Sequence, residues 1–266
     1  MSTLKNTTVN DTGYIQLPVG TTAQRPVSPT SGQMRYNSTI KTVEWYTGSN
    51  NLWYYLPNIY TSGMIARYDA AEPNSYSGSG TAWNDISGNA NNGTLVNSPT
   101  YATTNGGQFS FNKSNQYVTL PNGLISTNDF TVIMWVKGDG TGGAQTIMAN
   151  YPAGNFQLFY GAAYVGMYLG NSSAYADAAL WYTSNIVQFA AVRSGFDTSV
   201  YLNGNLIKTG SSSSSVGGAV TFRMGTNTSG GEQYGGTIYT CQVYNVALAG
   251  TSIYQNYLAM KTRFGV

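Results

Sequence analysis

The chain has 266 residues, of which only 8% are charged; 12 Lys and Arg stand against 10 Asp and Glu, and there is no histidine. A net charge of +2 supplies no basic stripe to track phosphates, so nucleic acid is not an expected partner. No apolar run reaches the ~20 residues of a membrane helix, and the absence of His removes His-based triads, His acid catalysis and ordinary zinc sites.

The length suits one large β domain with a small companion, since sandwiches and barrels run past 200 residues as single units. Solubility rests on uncharged polar groups, and tyrosine is abundant at 22 residues. Such surfaces trade charge for aromatic area and adaptable hydrogen bonds, which points to neighbouring subunits or sugars as what this surface meets.

Residues 1–13 are polar and patternless, the composition of an arm that orders only against a partner. MSTLKNTTVNDTG has one Lys and no apolar segment of a signal peptide, so synthesis and assembly in a host cytoplasm are expected. A small β module is predicted over residues 14–57. Pro18, Pro26 and Pro29 hold its first half extended, and three strands follow near Gln33–Asn37, Thr42–Tyr46 and Leu52–Leu56. Those strands bury too little area to persist alone, so the module is expected to oligomerise or dock. Its candidate contact residues are Tyr14, Leu17, Arg25, Arg35, Tyr36, Trp45 and Trp53. The runs L-P-x-G-T-T-x-x-R-P, G-x-x-R-Y-N-x-T and W-x-x-L resemble a short module of phage fibre, tail and capsid-surface proteins. That resemblance implies a homotrimer or an anchor to other virion proteins, capsid or tail. The other reading is a simple N-terminal elaboration of the domain that follows.

After a connector at 58–63, the large domain is predicted over 64–266. GQFSFNKSNQYVTL at 107–120 reads as a hairpin, and Phe130–Val136 is apolar on both sides, as a central, doubly covered strand should be. Strands are predicted at Ile147–Ala149, Phe156–Tyr160, Tyr164–Leu169, Ile186–Arg193, Ser199–Asn203 and Val220–Met224. Asn203-Gly204 is the strongest hairpin signal, and Ser211–Ser215 reads as a flexible loop. Strand after strand without helices indicates an all-β, antiparallel two-sheet sandwich.

Near the end a strand runs into an amphipathic segment with Ile253, Tyr257 and Leu258 at helical spacing. The strand is expected to close a sheet and the helix to cover an open end of the sandwich. Cys241 is expected as a buried small hydrophobe.

Three opening pieces, Y-D-A, S-Y-x-G-x-G-T-x-W-x-D-x-S-G-N and N-N-G-T-L, join with Ile238, Val243, Tyr244, Asn245, Ala247 and Leu248 of the ending. Together they resemble concanavalin A-like, laminin G-like jelly rolls, and the resemblance implies that fold with a lectin or glucanase activity. The helix departs from the family pattern, with Ala249 and Ser252 where Ser and Glu would form a capping box, a loss of about 1 kcal/mol.

Hydrolysis of a glycosidic bond needs two carboxylates facing each other about 5.5 Å apart or wider. The only glutamates are Glu44, Glu72 and Glu232, none with another acid two residues away. Asp69 and Glu72, three apart, are expected on opposite faces of a strand. No catalytic residue and no enzyme activity are expected. Asp85, Ser87 and Asn89 occur at spacing two, like the oxygens that open a calcium loop, and equally like an Asx-turn network; Ca²⁺ is the one cofactor the pattern admits.

For sugar binding, the resemblance implies an aromatic plate with Asn and backbone groups. Tyr151, Asn155, Tyr164, Tyr175, Trp181 and Tyr182 are the candidates, with Asn150 and Asn171 nearby. Two functions follow: a phage virion protein, as capsid decoration or a short head fibre, or a tail-fibre adhesin that recognises host surface glycans.

Overall fold

The structure is a computed structural model that describes residues 16–39, 42–48, 53–55, 58–126, 128–161, 164–170, 172–177 and 185–266; the polar arm at 1–13 lies outside them. The chain divides into two compact units, Met1–Asn58 and Ile59–Val266.

In the first unit β1 (Val19–Gly20) runs parallel to β2 (Met34–Asn37), which pairs antiparallel with β3 (Thr42–Tyr46), followed by β4 (Trp53–Tyr55). Its alternation is inverted: Arg35, Asn37, Thr42 and Glu44 are buried while Met34 is 51% and Val19 65% exposed. The shielded centre is ionic. Glu44 meets Arg25 (Nη2 to Oε2, 2.6 Å), Arg35 (Nε to Oε1, 3.4 Å) and the amide of Asn37 (2.9 Å). Arg35 also donates to the carbonyls of Gln24 (2.6 Å) and Thr21 (2.9 Å), which holds the proline-rich segment over the sheet. A carboxylate out of water is tolerable only when paired and hydrogen-bonded, and Glu44 has both.

The second unit is a sandwich whose strands, in chain order, are β5 (Met64–Asp69), β6 (Ala82–Trp83), β7 (Gly93–Val96), β8 (Thr100–Ala102), β9 (Gln108–Asn112), β10 (Tyr117–Asn122), β11 (Phe130–Gly138) and β12 (Gln145–Ala149). They continue with β13 (Phe156–Tyr160), β14 (Tyr164–Leu169), β15 (Ser172–Asp177), β16 (Val187–Ser194), β17 (Asp197–Leu202), β18 (Asn205–Ser211), β19 (Thr221–Met224) and β20 (Gly235–Tyr244). A front sheet has the order β15-β14-β13-β12-β19-β10-β7-β6, and a back sheet β18-β17-β16-β11-β20-β9-β8 with β5 added on β20. Between them Val118, Leu158 and Phe222 of the front meet Val132, Met134 and Phe189 of the back, the interdigitated core of a jelly-roll sandwich. Cys241 is buried in this core, and burial pushes its thiol well above the ordinary range.

β11 is doubly covered. Phe130, Val132, Met134 and Val136 enter the core, while Ile133 and Trp135 turn outward beneath the helix α1 (Gly250–Phe264). This corrects the expected position of the helix: it lies across the outer face of the back sheet, where Trp135 stacks on Phe264 (4.4 Å) and Tyr257 (5.8 Å). An apolar outer face needs a cover, and Ile253, Met260 and Phe264 supply it. β20 likewise closes no edge; it is central, with β11 on one side and β9 and β5 sharing the other. A bulge opposite Trp135 and Val136 sets Tyr239 outward against Phe264 (5.0 Å) while Ile238 and Cys241 both point inward.

Ala249 starts α1 with no side-chain cap, and Gly265 (φ 69°) ends it with its N–H on Thr262 O and that of Val266 on Lys261 O, a Schellman ending. Ile59 and Tyr60 dock beside the helix, the Tyr60 N–H donating to Asn256 Oδ1 (2.5 Å) and its carbonyl accepting from Tyr244 Oη (2.8 Å).

Two further expectations change. The segment 107–120 is no hairpin: β9 belongs to the back sheet and β10 to the front, because Asn112 Oδ1 accepts the N–H groups of Ser114, Asn115 and Gln116 and turns the chain across the sandwich. The serine tract is pinned, with Ser212 Oγ donating to Leu169 O (2.7 Å), Ser214 O accepting from Arg193 (2.6 Å) and Ser215 O from Asn155 (2.9 Å). The Asn203-Gly204 turn joins β17 to β18 as predicted, with φ of 49° and 78°.

Candidate functional site

Among the described residues α1 covers the outer face of the back sheet, and no described helix packs on the outer face of the front sheet. Its strand register builds one transverse row: Thr94 opposite Thr119, Thr119 opposite Arg223, Arg223 opposite Ala149, Ala149 opposite Gln157, and Gln157 opposite Tyr168. Each member alternates with a core residue, Leu95, Val118, Met224, Met148, Leu158 and Met167, so the row faces outward. Strands lie about 4.8 Å apart, which puts Arg223 and Tyr168, three strands from each other, roughly 14 Å apart.

The row is polar in the middle and aromatic at its flanks. Gln157 Nε2 donates to Thr146 Oγ1 (2.6 Å) and to the Glu232 carboxylate, which also accepts from Thr146 Oγ1 (3.0 Å). Glu232 arrives on the loop after β19, fixed by its carbonyl accepting from Thr146 N (2.8 Å). On one side the Arg223 guanidinium lies 4.7 Å over the Tyr117 ring. On the other, Tyr168 packs edge-to-face with Tyr151 (5.3 Å). Buried Asn150 sets the Tyr151 loop: its Oδ1 accepts from Phe156 N (2.8 Å) and its Nδ2 donates to Val216 O (3.0 Å). Part-exposed Tyr117, Tyr151 and Tyr168 can stack on a sugar ring, and the part-exposed Arg223 and Glu232 can bond its hydroxyls, while Ala149 and Gln157 are buried within the row and hold its shape.

Of the residues expected at a sugar site, Tyr151 joins this face, and Asn155 is near it but spends its amide on Ser215 O. Tyr164 stands opposite Asp177, and Tyr175 opposite Gly166, in the β14–β15 register. Trp181, Tyr182 and Asn171 lie outside the described residues. Reading the sequence missed Arg223, Tyr117, Gln157, Thr146, Glu232 and Tyr168. The alternation of Thr221, Phe222, Arg223 and Met224 carried a signal, since it sets Arg223 on an outer face.

Asp85, Ser87 and Asn89 do come together. Asp85 Oδ1 accepts from the N–H groups of Arg67 and Ser87 (both 2.8 Å), and Oδ2 from Ser87 Oγ (2.8 Å) and Asn91 N (3.0 Å). Asn89 donates to Ser87 Oγ (2.9 Å) and Met64 O (3.2 Å). In this arrangement the trio ties its loop to β5 as an Asx-turn network. Among the described residues no three acidic, Cys or His side chains cluster.

Asp69 and Glu72 are not on opposite faces of one strand. β5 ends at Asp69, the chain turns with Glu72 N donating to Asp69 O, and both carboxylates approach Arg67 (3.6 and 4.0 Å). Asp69 is held besides by Arg263 at 2.7 Å, the setting of a structural anion.

In the first unit, Arg25 and Arg35 turn inward to Glu44. Tyr36 is part-exposed, Trp45 stands opposite Met34 in register, Leu17 is half-buried and Tyr14 lies outside the described residues. Trp53, 5.6 Å from Tyr46, borders a groove of about 410 Å³ with Pro18, Val19, Pro26 and Met34.

The family model described as the concanavalin A-like lectin/glucanases superfamily matches residues 112–254, more than half of the chain. The chain belongs to the concanavalin A-like lectin/glucanase superfamily. Among curated protein sequences nothing matches it. Its fold is similar to the botulinum neurotoxin serotype D binding domain, at 16% identity and a TM-score of 0.61, covering 75% of this chain and 52% of that one. It is similar also to domain 4 of AbnA, a GH43 extracellular arabinanase from Geobacillus stearothermophilus in complex with arabinotriose, at 22% identity and 0.59, covering 74% and 98%. A third likeness is to the binding domain of botulinum neurotoxin DC in complex with SialylT, at 13% and 0.60, covering 76% and 52%. The chain spans about half the length of the neurotoxin domains, and at these identities the likeness is one of fold.

Proposed function

We propose that this chain is a glycan-binding jelly roll displayed on a tailed-phage particle, with its first unit as a trimerising anchor to other virion proteins. The observation that carries the binding role is the row from Arg223 through Gln157 to Tyr168, with Tyr117 and Tyr151 at its flanks. Binding without bond cleavage fits the neutralised Asp69, whose charge two guanidinium groups hold. The arabinotriose and SialylT complexes of two similar folds are in keeping with a saccharide ligand. The anchoring role rests on the phage-module resemblance and on the inverted first unit, which exposes Val19, Val27 and Met34 around an ionic centre. No helix among the described residues is long and apolar enough to cross a membrane.

The test is a glycan array probed with the full chain and with Tyr168→Ala, alongside light scattering for mass. Selective saccharide binding that Tyr168→Ala abolishes, at three times the chain mass, supports the reading. A silent array overturns the binding role, leaving capsid decoration, and a monomeric mass overturns the trimer.

A further inference from the structure

The arginines of this chain differ in what neutralises them. Arg25 and Arg35 share Glu44, Arg67 and Arg263 share Asp69, and Arg193 donates to three backbone carbonyls. Arg223 has neither arrangement. It makes one hydrogen bond, Nη1 to Asn227 O at 3.3 Å, its Nε is buried without a partner, which leaves the other Nη donors to face a ligand, and no carboxylate lies within ion-pair distance among the described residues. A guanidinium carries five N–H donors in a planar fork, so most of this one's capacity is unspent.

Position adds to this. Arg223 sits mid-row between the short side chains of Thr119 and Ala149 and is itself part-exposed, with Tyr117 the one large neighbour against its guanidinium. The Tyr117 ring lies against one side of the guanidinium, 4.7 Å from its centre. The Glu232 carboxylate is engaged by Gln157 and Thr146. The unspent Nη edge of this part-exposed guanidinium is matched by a planar anion, because carboxylates accept two parallel N–H bonds from arginine.

We infer that Arg223 makes this face selective for anionic saccharides, reading the carboxylate of a uronic or sialic acid residue while the tyrosines carry the neutral rings. This rests on the glycan-binding reading and narrows its ligand class.

The experiment is an array in which each uronic-acid or sialic-acid oligosaccharide stands beside its methyl ester, probed with the full chain, Arg223→Lys and Arg223→Met, with thermal midpoints of all three. The wild type should favour free acid over ester at least tenfold. The ratio should fall to two- to fivefold in Arg223→Lys, which keeps charge but loses the fork, and to about one in Arg223→Met. If Arg223→Met does not fold, the lysine variant carries the test. Sugar binding with an acid-to-ester ratio near one, or a ratio unchanged in the variants, overturns the inference and leaves the glycan reading standing. Binding of no saccharide overturns both.

Discussion

Arg263, in the last turn of α1, places Nη1 2.7 Å from Oδ1 of Asp69 at the end of β5, and the same guanidinium donates to Asn105 O (2.7 Å) and Gly107 O (3.1 Å). One side chain thus ties the C-terminal helix to the first strand of the sandwich and to the loop before β9. Gly107 belongs to this clasp, since a Cβ there would stand 2.1 Å from Ala70 O. Arg263→Ala removes three bonds and leaves buried Asp69 with the more distant Arg67 as its one cationic partner beside the Ala71 N–H. It should cost about 3 kcal/mol, read as a lower denaturation midpoint of the sandwich at unchanged m-value.

Glu44 makes the first unit acid-sensitive. Burial raises its carboxyl, but the hydrogen bonds from Arg25 and Asn37 and the charges of Arg25 and Arg35 together outweigh that and hold it below its ordinary 4.5. A depressed folded value means the stabilisation is complete above the ordinary value and is lost as pH falls through the folded one. Protection factors at β2 and β3, taken against the intrinsic exchange rate at each pH, should fall as pH drops below about 4.5, and Glu44→Gln should flatten that acid limb. Exchange is measured locally because Asp139, in the second unit, is likewise held low: burial raises it, and bonds from Thr141, Gln145 and Tyr160 outweigh the rise. Acid-independent protection factors at β2 and β3 in the wild type would contradict the assignment.

The start of α1 can be improved. Ala249 already has the extended backbone of an N-cap (φ −65°, ψ 151°) but offers no side-chain acceptor. Ala249→Ser should stabilise by about 1 kcal/mol, and adding Ser252→Glu should complete a capping box and increase the gain. Thermal unfolding of the single and double variants checks the order.

Gly204 is required twice over, by its φ of 78° and by a Cβ that would stand 2.6 Å from Tyr254 Cδ2 on the helix. Gly204→Ala should cost about 1–3 kcal/mol through backbone strain and loosen the helix contact as well. Faster exchange in α1 as well as in β17 and β18 would show both effects.

Much of this fold was legible in local pattern. Asn203-Gly204 gave its hairpin, and the two-sided apolarity of residues 130–136 gave a strand covered on both faces. That same pattern already implied a cover over Ile133 and Trp135, and α1 is that cover; reading the helix as an end cap overlooked the outward pair. The 107–120 segment misled because alternation shows that strands exist, not which sheet each joins, and the decision rests on Asn112 capping a short arch. The candidate face was the least legible part. Tyr117, Gln157, Tyr168 and Arg223 sit on four different strands and become neighbours only through register, whereas Tyr151 and Asn155 drew notice by lying close in sequence. The first unit resisted for the opposite reason: its aromatic strands suggested an apolar centre, yet among its described residues only Tyr46 is a buried aromatic, beside buried Glu44, Arg35, Asn37 and Thr42.

The most direct test of a sugar-binding front sheet is hydrogen–deuterium exchange of the full chain with and without a saturating array-selected saccharide. Protection confined to β12, β13, β14 and β19, around Ala149, Gln157, Tyr168 and Arg223, is the predicted result. Protection at the Asp85 loop or along α1 instead, with those four strands unchanged, would contradict it.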